Sequence, residues 1–121
     1  GPSLIEPSLI RVQSSSDYVG DVRWSPTSPT VFASATGDGL VCLWDVALST
    51  LDPAVSESVR PRRASCVRFA PGRGDLVVAG DDGGRVAFYR VVGVGGPAGR
   101  TLEEQVARLE RVLSAKDAAE T

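Results

Sequence analysis

Carboxylates, thiols and hydroxyls are plentiful in this chain, but the base that would put them to work is missing. The 121 residues contain no His, which removes the commonest general base and a leading metal ligand. The serines therefore lack the partner that activates a hydroxyl nucleophile. Asp38 and Asp45 could form an acid–base pair by residue type, yet each has a structural task in the repeat described below. Cys42 and Cys66 are too few for a disulfide framework and lack metal-site spacing. Both fall in strand-like runs, where a thiol is usually a small core side chain. No catalytic, cofactor-binding or metal-ligating residue emerges, and the reading is that the chain is not an enzyme.

Two glycine-rich stretches resemble ligand loops. GVGGPAGRT, residues 93–101, runs from a strand into a helix as a phosphate loop does. That motif needs Gly five residues before a Gly-Lys pair; counted back from Gly99 the position holds Val94, and the Lys is Arg100. A flexible connector explains it better. GDDGG, residues 80–84, lacks the alternating ligands of a calcium loop and reads as a hairpin turn. RPRR, residues 60–63, is the strongest polar feature. Arg60, Arg62 and Arg63 are either a solvated loop or a surface for an acidic partner, since Arg is favoured at interfaces and binds carboxylates bidentately.

The chain is 42% apolar and 23% charged with a formal net charge of −2, an ordinary globular composition. Nothing in it draws the chain to nucleic acid or an anionic membrane. No apolar run reaches the roughly 18–20 residues a membrane span needs, and GPSLIEPSLI is not a signal peptide. The cysteine usage points to a reducing, intracellular compartment. With no Met, the chain reads as a piece of something longer, Gly1-Pro2-Ser3 being an added scar.

The elements that carry these residues come in two copies. Shifted by 45 positions without a gap, VRWSP (22–26) falls on VRFAP (67–71), and VFASATGDGLVCLWDV (31–46) on LVVAGDDGGRVAFYRV (76–91). Val22/Val67, Arg23/Arg68, Pro26/Pro71, Gly39/Gly84, Val41/Val86 and Val46/Val91 are identities. Trp24/Phe69, Leu43/Phe88 and Trp44/Tyr89 keep an aromatic or apolar side chain. The spacing predicts strands near 19–25, 31–35 and 40–46, then 64–70, 76–80 and 85–91. Proline closes the first strand of each copy, and Gly37-Asp38-Gly39 supplies a tight hairpin. Fourth strands are expected near 54–59 and, ahead of the first copy, near 8–13. Trp24 and Trp44 are expected in the core rather than on a binding platform. Residues 101–116, TLEEQVARLERVLSAK, predict an amphipathic helix: Thr101 and Glu104 fit a capping box, and Leu102, Val106, Leu109 and Leu113 form one stripe.

A four-stranded unit of about 45 residues ending in Trp-Asp matches a propeller blade. SDYVGDVRWSPTSPTVFASATGDGLVCLWDV resembles the last well-formed WD-repeat blade of dynein intermediate chains. RASCVRFAPGRGDLVVAGDDGGRVAFYRV resembles their final blade, and the charged, Leu-containing helix their C-terminal tail. VGDV, WSP and TVFA with that helix lean towards the axonemal, outer-arm type over the cytoplasmic one. The repeat signature comprises Trp24, Asp38, Gly39, Trp44 and Asp45, then Phe69, Gly84 and Tyr89. Two departures stand out. No His is present for the Asp-His-Ser-Trp network of many WD repeats. Gly83 and Tyr89-Arg90 replace Asp38 and Trp44-Asp45, so the second blade is expected to lack the brace Asp38 gives its turn.

The expected architecture is therefore all-β: two four-stranded WD-repeat blades, part of a larger propeller, followed by a C-terminal helix. Its parts are a lead-in (1–16), the penultimate blade (17–59), a basic loop (60–63), the final blade (64–92), a Gly-rich connector (93–100), the helix (101–116) and a tail (117–121). The resemblance implies a non-catalytic scaffold in a dynein motor. Its propeller would grip the heavy-chain tail, with a second intermediate chain as a further partner, and a missing N-terminal region would recruit light chains. The cytoplasm and cytoskeleton follow as location, the ciliary or flagellar axoneme first. Contact residues are expected among Arg60, Arg62 and Arg63 and along Leu102, Val106, Leu109 and Leu113, with no cofactor, nucleic acid or membrane insertion. Two blades expose sheet faces and edges, so this length of chain is not expected to be a stable monomer. A general WD-repeat adaptor and a lectin-like module of several two-blade chains are the alternatives.

Overall fold

Short runs of β-branched and aromatic residues, punctuated by Pro, Gly and Asp, become seven strands in a computed structural model that describes residues 10–94 and 109–114. β1 (Val19–Trp24), β2 (Val31–Thr36), β3 (Leu40–Asp45) and β4 (Val55–Ser58) form one antiparallel sheet in that order. β5 (Ala64–Phe69), β6 (Leu76–Asp81) and β7 (Val86–Arg90) form a second. Residues 109–114 are helical. The fold is all-β with a short C-terminal helix, as the sequence implies.

The 45-residue period governs the backbone more strictly than the side chains. The N–H of Ser25 donates to Val31 O and that of Ala70 to Leu76 O, both at 2.9 Å. The Val46 N–H to Thr30 O bond (3.0 Å) recurs as Val91 to Asp75 (2.8 Å), and Gly37 to Tyr18 (2.8 Å) as Asp82 to Arg63 (3.0 Å). A bulge interrupts β1 between Val19 and Asp21, and another interrupts β5 between Ala64 and Cys66. Gly39 and Gly84 close the equivalent turns with φ of 87° and 85°, the left-handed conformation only glycine adopts without strain.

Alternation decides which residues fill the space between the sheets. Val31, Ala33, Ala35, Val41 and Leu43 leave the first sheet on one side and meet Ala64, Val67, Val77 and Ala79 of the second. β5 packs chiefly on β1 and β2. The opposite face of the first sheet carries an aromatic row. Trp24, Phe32 and Trp44 are register neighbours and stack at 6.1 Å between successive centroids, within 10° of parallel.

Several expectations change here. The second sheet has three strands among the described residues, since Val91–Val94 leave β7 without pairing on. Residues 10–13 are not a strand, and 8–9 lie outside the described residues. Trp44 is buried as expected, but Trp24 is 54% exposed, because among the described residues no further sheet packs on that side of β1. Cys42 is buried, whereas Cys66 is exposed, standing at the β5 bulge where the ladder shifts register.

Candidate interaction surface

Trp44, Asp45 and Asp38 of the repeat signature each make hydrogen bonds within the first blade. Trp44 fills the first blade and its indole N–H donates to Ser34 Oγ at 3.3 Å. Asp45, also buried, accepts the Ala47 N–H on Oδ1 at 3.0 Å and those of Leu48 and Ser49 on its carbonyl, turning the chain out of β3. Asp38 accepts the Thr36 hydroxyl at 2.5 Å. That bond, with the Ser15 hydroxyl and Arg60, outweighs partial burial and holds the Asp38 carboxyl below the ordinary carboxylate value. Thus Ser15 and Thr36 serve Asp38 in a chain without His.

The second turn is braced after all, by a different residue. Asp81 stands at the position equivalent to Thr36, and its Oδ1 accepts the N–H groups of Gly83 (2.8 Å) and Arg85 (3.0 Å). The carboxylate has moved from the turn into the strand before it. A position-by-position comparison misses this, because Gly83 aligns with Asp38 and shows only a loss.

RPRR lies beside both turns. Arg60 Nε donates to the Asp38 carbonyl at 2.8 Å, and its Nη2 lies 3.4 Å from Asp38 Oδ2. Arg63 Nη1 donates to Gly37 O at 3.4 Å and lies 4.0 Å from Asp17 Oδ2, its guanidinium 5.7 Å from the Tyr18 ring centre. Its backbone N–H donates to Asp82 Oδ1 at 3.1 Å. Tyr18 and Asp17 together hold the Arg63 guanidinium above its ordinary value. The Arg62 backbone N–H donates to Val59 O at 3.1 Å, and its side chain extends over Gly83 without a hydrogen bond or ion pair to the described residues. All three arginines are exposed; Arg60 and Arg63 have ion-pair partners within the chain.

Between the sheets sits a polar fastener that motif reading does not detect. Asp21 in β1 accepts the Val67 N–H on Oδ2 at 3.1 Å and pairs with Arg68 on the same oxygen, while Oδ1 lies 3.3 Å from Arg23 Nε. Burial pushes the Asp21 carboxyl up, but the Val67 N–H, Arg68 and Arg23 together bring it below the ordinary value. β5 is an edge strand of its sheet, which leaves alternate N–H groups outside the ladder, Val67's among them. No sequence signal marks Asp21, because its equivalent in the second copy is Cys66.

Leu109 and Leu113 face Trp24, Phe32 and Val46 across a recess of about 180 Å³. Leu102 and Val106, the other half of that stripe, lie outside the described residues, as do 95–100 of the glycine-rich connector. Among the described residues no cluster of metal-ligating side chains occurs, and no helix is long and apolar enough to cross a membrane.

No protein-family profile matches the chain. Human cytoplasmic dynein 2 intermediate chain 2 is 36% identical over 87 residues, 70% of this chain and 16% of that protein. Human dynein axonemal intermediate chain 4 is 35% identical over 88 residues, 72% of this chain and 10% of the relative. The 78 kDa intermediate chain of the flagellar outer arm of Chlamydomonas reinhardtii is 39% identical over 76 residues, 62% and 11% respectively. The chain thus spans between a tenth and a sixth of these relatives. Among solved structures, the crystal structure of the computationally designed Ika4 protein superposes with a TM-score of 0.56 at 17% identity, covering 76% of this chain and 52% of the other. That likeness concerns the fold alone.

Proposed function

We propose, from the premise that this chain is homologous to the dynein intermediate chains, that it is a non-catalytic scaffold which helps hold a dynein motor together. The carrying observation is identity of 35–39% over 62–72% of the chain, joined to a backbone that repeats every 45 residues. The blades contribute a rigid surface to a β-propeller that binds the tail of a dynein heavy chain, and binding energy comes from buried contacts. Other regions of the subunit recruit light chains or a second intermediate chain. The cytoskeleton is the location, with the axoneme ahead of the cytoplasmic motors.

Arg62 leads the candidate contacts because Arg60 and Arg63 already have partners. An acidic patch on the heavy chain suits a guanidinium that offers a fork of donors. The helix stripe of Leu102, Val106, Leu109 and Leu113 is the second contact. The test is affinity capture of the tagged parent protein from ciliated cells, with partners identified by mass spectrometry. An axonemal heavy chain with light chains is the expected recovery; a cytoplasmic heavy chain keeps the scaffold role and moves the compartment. Capture without any dynein subunit hands the chain to the general adaptor reading. Arg62→Glu in the same parent is expected to reduce heavy-chain recovery several-fold without altering its own abundance.

A further inference from the structure

The two copies of the repeat keep a cation and lose its counter-ion. Arg23 and Arg68 occupy the same position of the 45-residue period, each in the first strand of its sheet, β1 and β5. Two residues before Arg23 stands Asp21; two residues before Arg68 stands Cys66. Arg68 therefore has no carboxylate at the matching place in its own strand. Its Nη1 pairs instead with Asp21 Oδ2 across the junction, while Arg23 Nε lies 3.3 Å from Oδ1. Two guanidinium groups thus share one carboxylate, and neither has a second ion-pair partner among the described residues. One positive charge is left over.

We propose that Arg23 and Arg68, gathered by Asp21, form a binding site for the phosphate group of a small soluble ligand. Arg68 Nη1 is occupied by Asp21 and by Val67 O at 2.8 Å. Both Nη atoms of Arg23, and Nε and Nη2 of Arg68, have no partner among the described residues. The two side chains are 45% and 54% exposed and Asp21 only 15%, so the free donors lie on the solvent side of the carboxylate that anchors them. Asp21 stays ionised at neutral pH, its carboxyl being held below the ordinary value. A tetrahedral oxyanion offers acceptors to both forks at once, whereas another carboxylate repeats the role Asp21 already fills. The site is complete within one junction, because all three residues belong to the two sheets that meet there, β5 lying along β1. These strands form the narrow end of the wedge, the end that borders the central channel of a propeller. Such a channel admits a small anion and excludes a bilayer.

Cys66 marks the place of the missing counter-ion. Its side chain is exposed, so an acidic group there adds a charge without burying it. The first copy shows that the spacing suffices, since Asp21 reaches Arg23 from two residues away. Cys66→Asp should therefore satisfy Arg68 from within its own strand and compete with an incoming anion, while every donor of the site stays in place.

Calorimetric titration of the full 121-residue chain with inorganic phosphate tests the assignment, with chloride holding the ionic strength fixed so that general screening stays constant. Saturable uptake is expected. Arg23→Gln and Arg68→Gln should each weaken it by about tenfold, and Cys66→Asp by a similar factor. Arg85→Gln, which changes an exposed arginine at the second hairpin turn, should leave it as it was. Acetate at the same concentration should not displace the phosphate. Absence of saturable uptake, full affinity in Cys66→Asp, an equal loss in Arg85→Gln, or displacement by acetate would each overturn the proposal. Should Arg68→Gln lose its strand signal in circular dichroism, Cys66→Asp carries the test, since it removes neither a donor nor the bond between the sheets.

Discussion

Asp21 reaches from one sheet to the other through a single carboxylate, and its environment sets its response to acid. Its folded pKa is lowered, as is that of Asp38, so the unfolded chain binds protons more readily near the ordinary value of 3.8. The stability these two groups contribute is present above that value and is lost as pH falls through their depressed folded values. Denaturant midpoints measured from pH 6 downwards should fall below about pH 4, and Asp21→Ala should flatten part of that fall. The same substitution at neutral pH leaves the Val67 N–H without its partner and should cost about 1–3 kcal/mol in urea unfolding. The two tryptophans give a second readout. Acrylamide should quench Trp24, which is exposed, far more than Trp44, which is buried, so Trp24→Phe should remove most of the quenchable emission. Trp44 was legible in the sequence as core because it sits in the well-preserved strand. Trp24 was misjudged because burial depends on what packs against β1, and the alternation within one strand does not carry that information.

At the level of elements, the two hairpin turns share a conformation and differ in surroundings. A Cβ at Gly84 meets nothing within 4 Å, whereas one at Gly39 would come within 2.5 Å of the Arg62 carbonyl and 2.8 Å of the Arg60 side chain. Gly84→Ala should therefore cost only the left-handed strain of about 1 kcal/mol, and Gly39→Ala clearly more, as compared by thermal melting. Asp81→Ala should loosen the second hairpin by about 1–2 kcal/mol by leaving two N–H groups without an acceptor, and amide exchange at Gly83 and Arg85 would report it. Strand positions were readable almost residue by residue, since Pro26, Gly39 and their equivalents Pro71 and Gly84 punctuate each copy. The brace of the second turn was not. A carboxylate can serve the same N–H groups from the turn or from the strand ahead of it, and aligned columns record only one of those routes.

For the whole molecule, the contact between the sheets is uneven. β5 lies close along β1 and β2 and barely reaches β3, and an open cleft of about 380 Å³ separates the outer strands, bounded by Val41, Leu43 and Val55 on one side and Phe88 and Tyr89 on the other. The blades form a wedge, tight at the hub and wide at the rim. Propellers of about four to eight blades require sectors of roughly 90° down to 45°. The side chains that line that cleft govern how closely the outer strands of the two sheets approach. A larger side chain at Val55 is expected to widen this cleft and a smaller one at Tyr89 to narrow it.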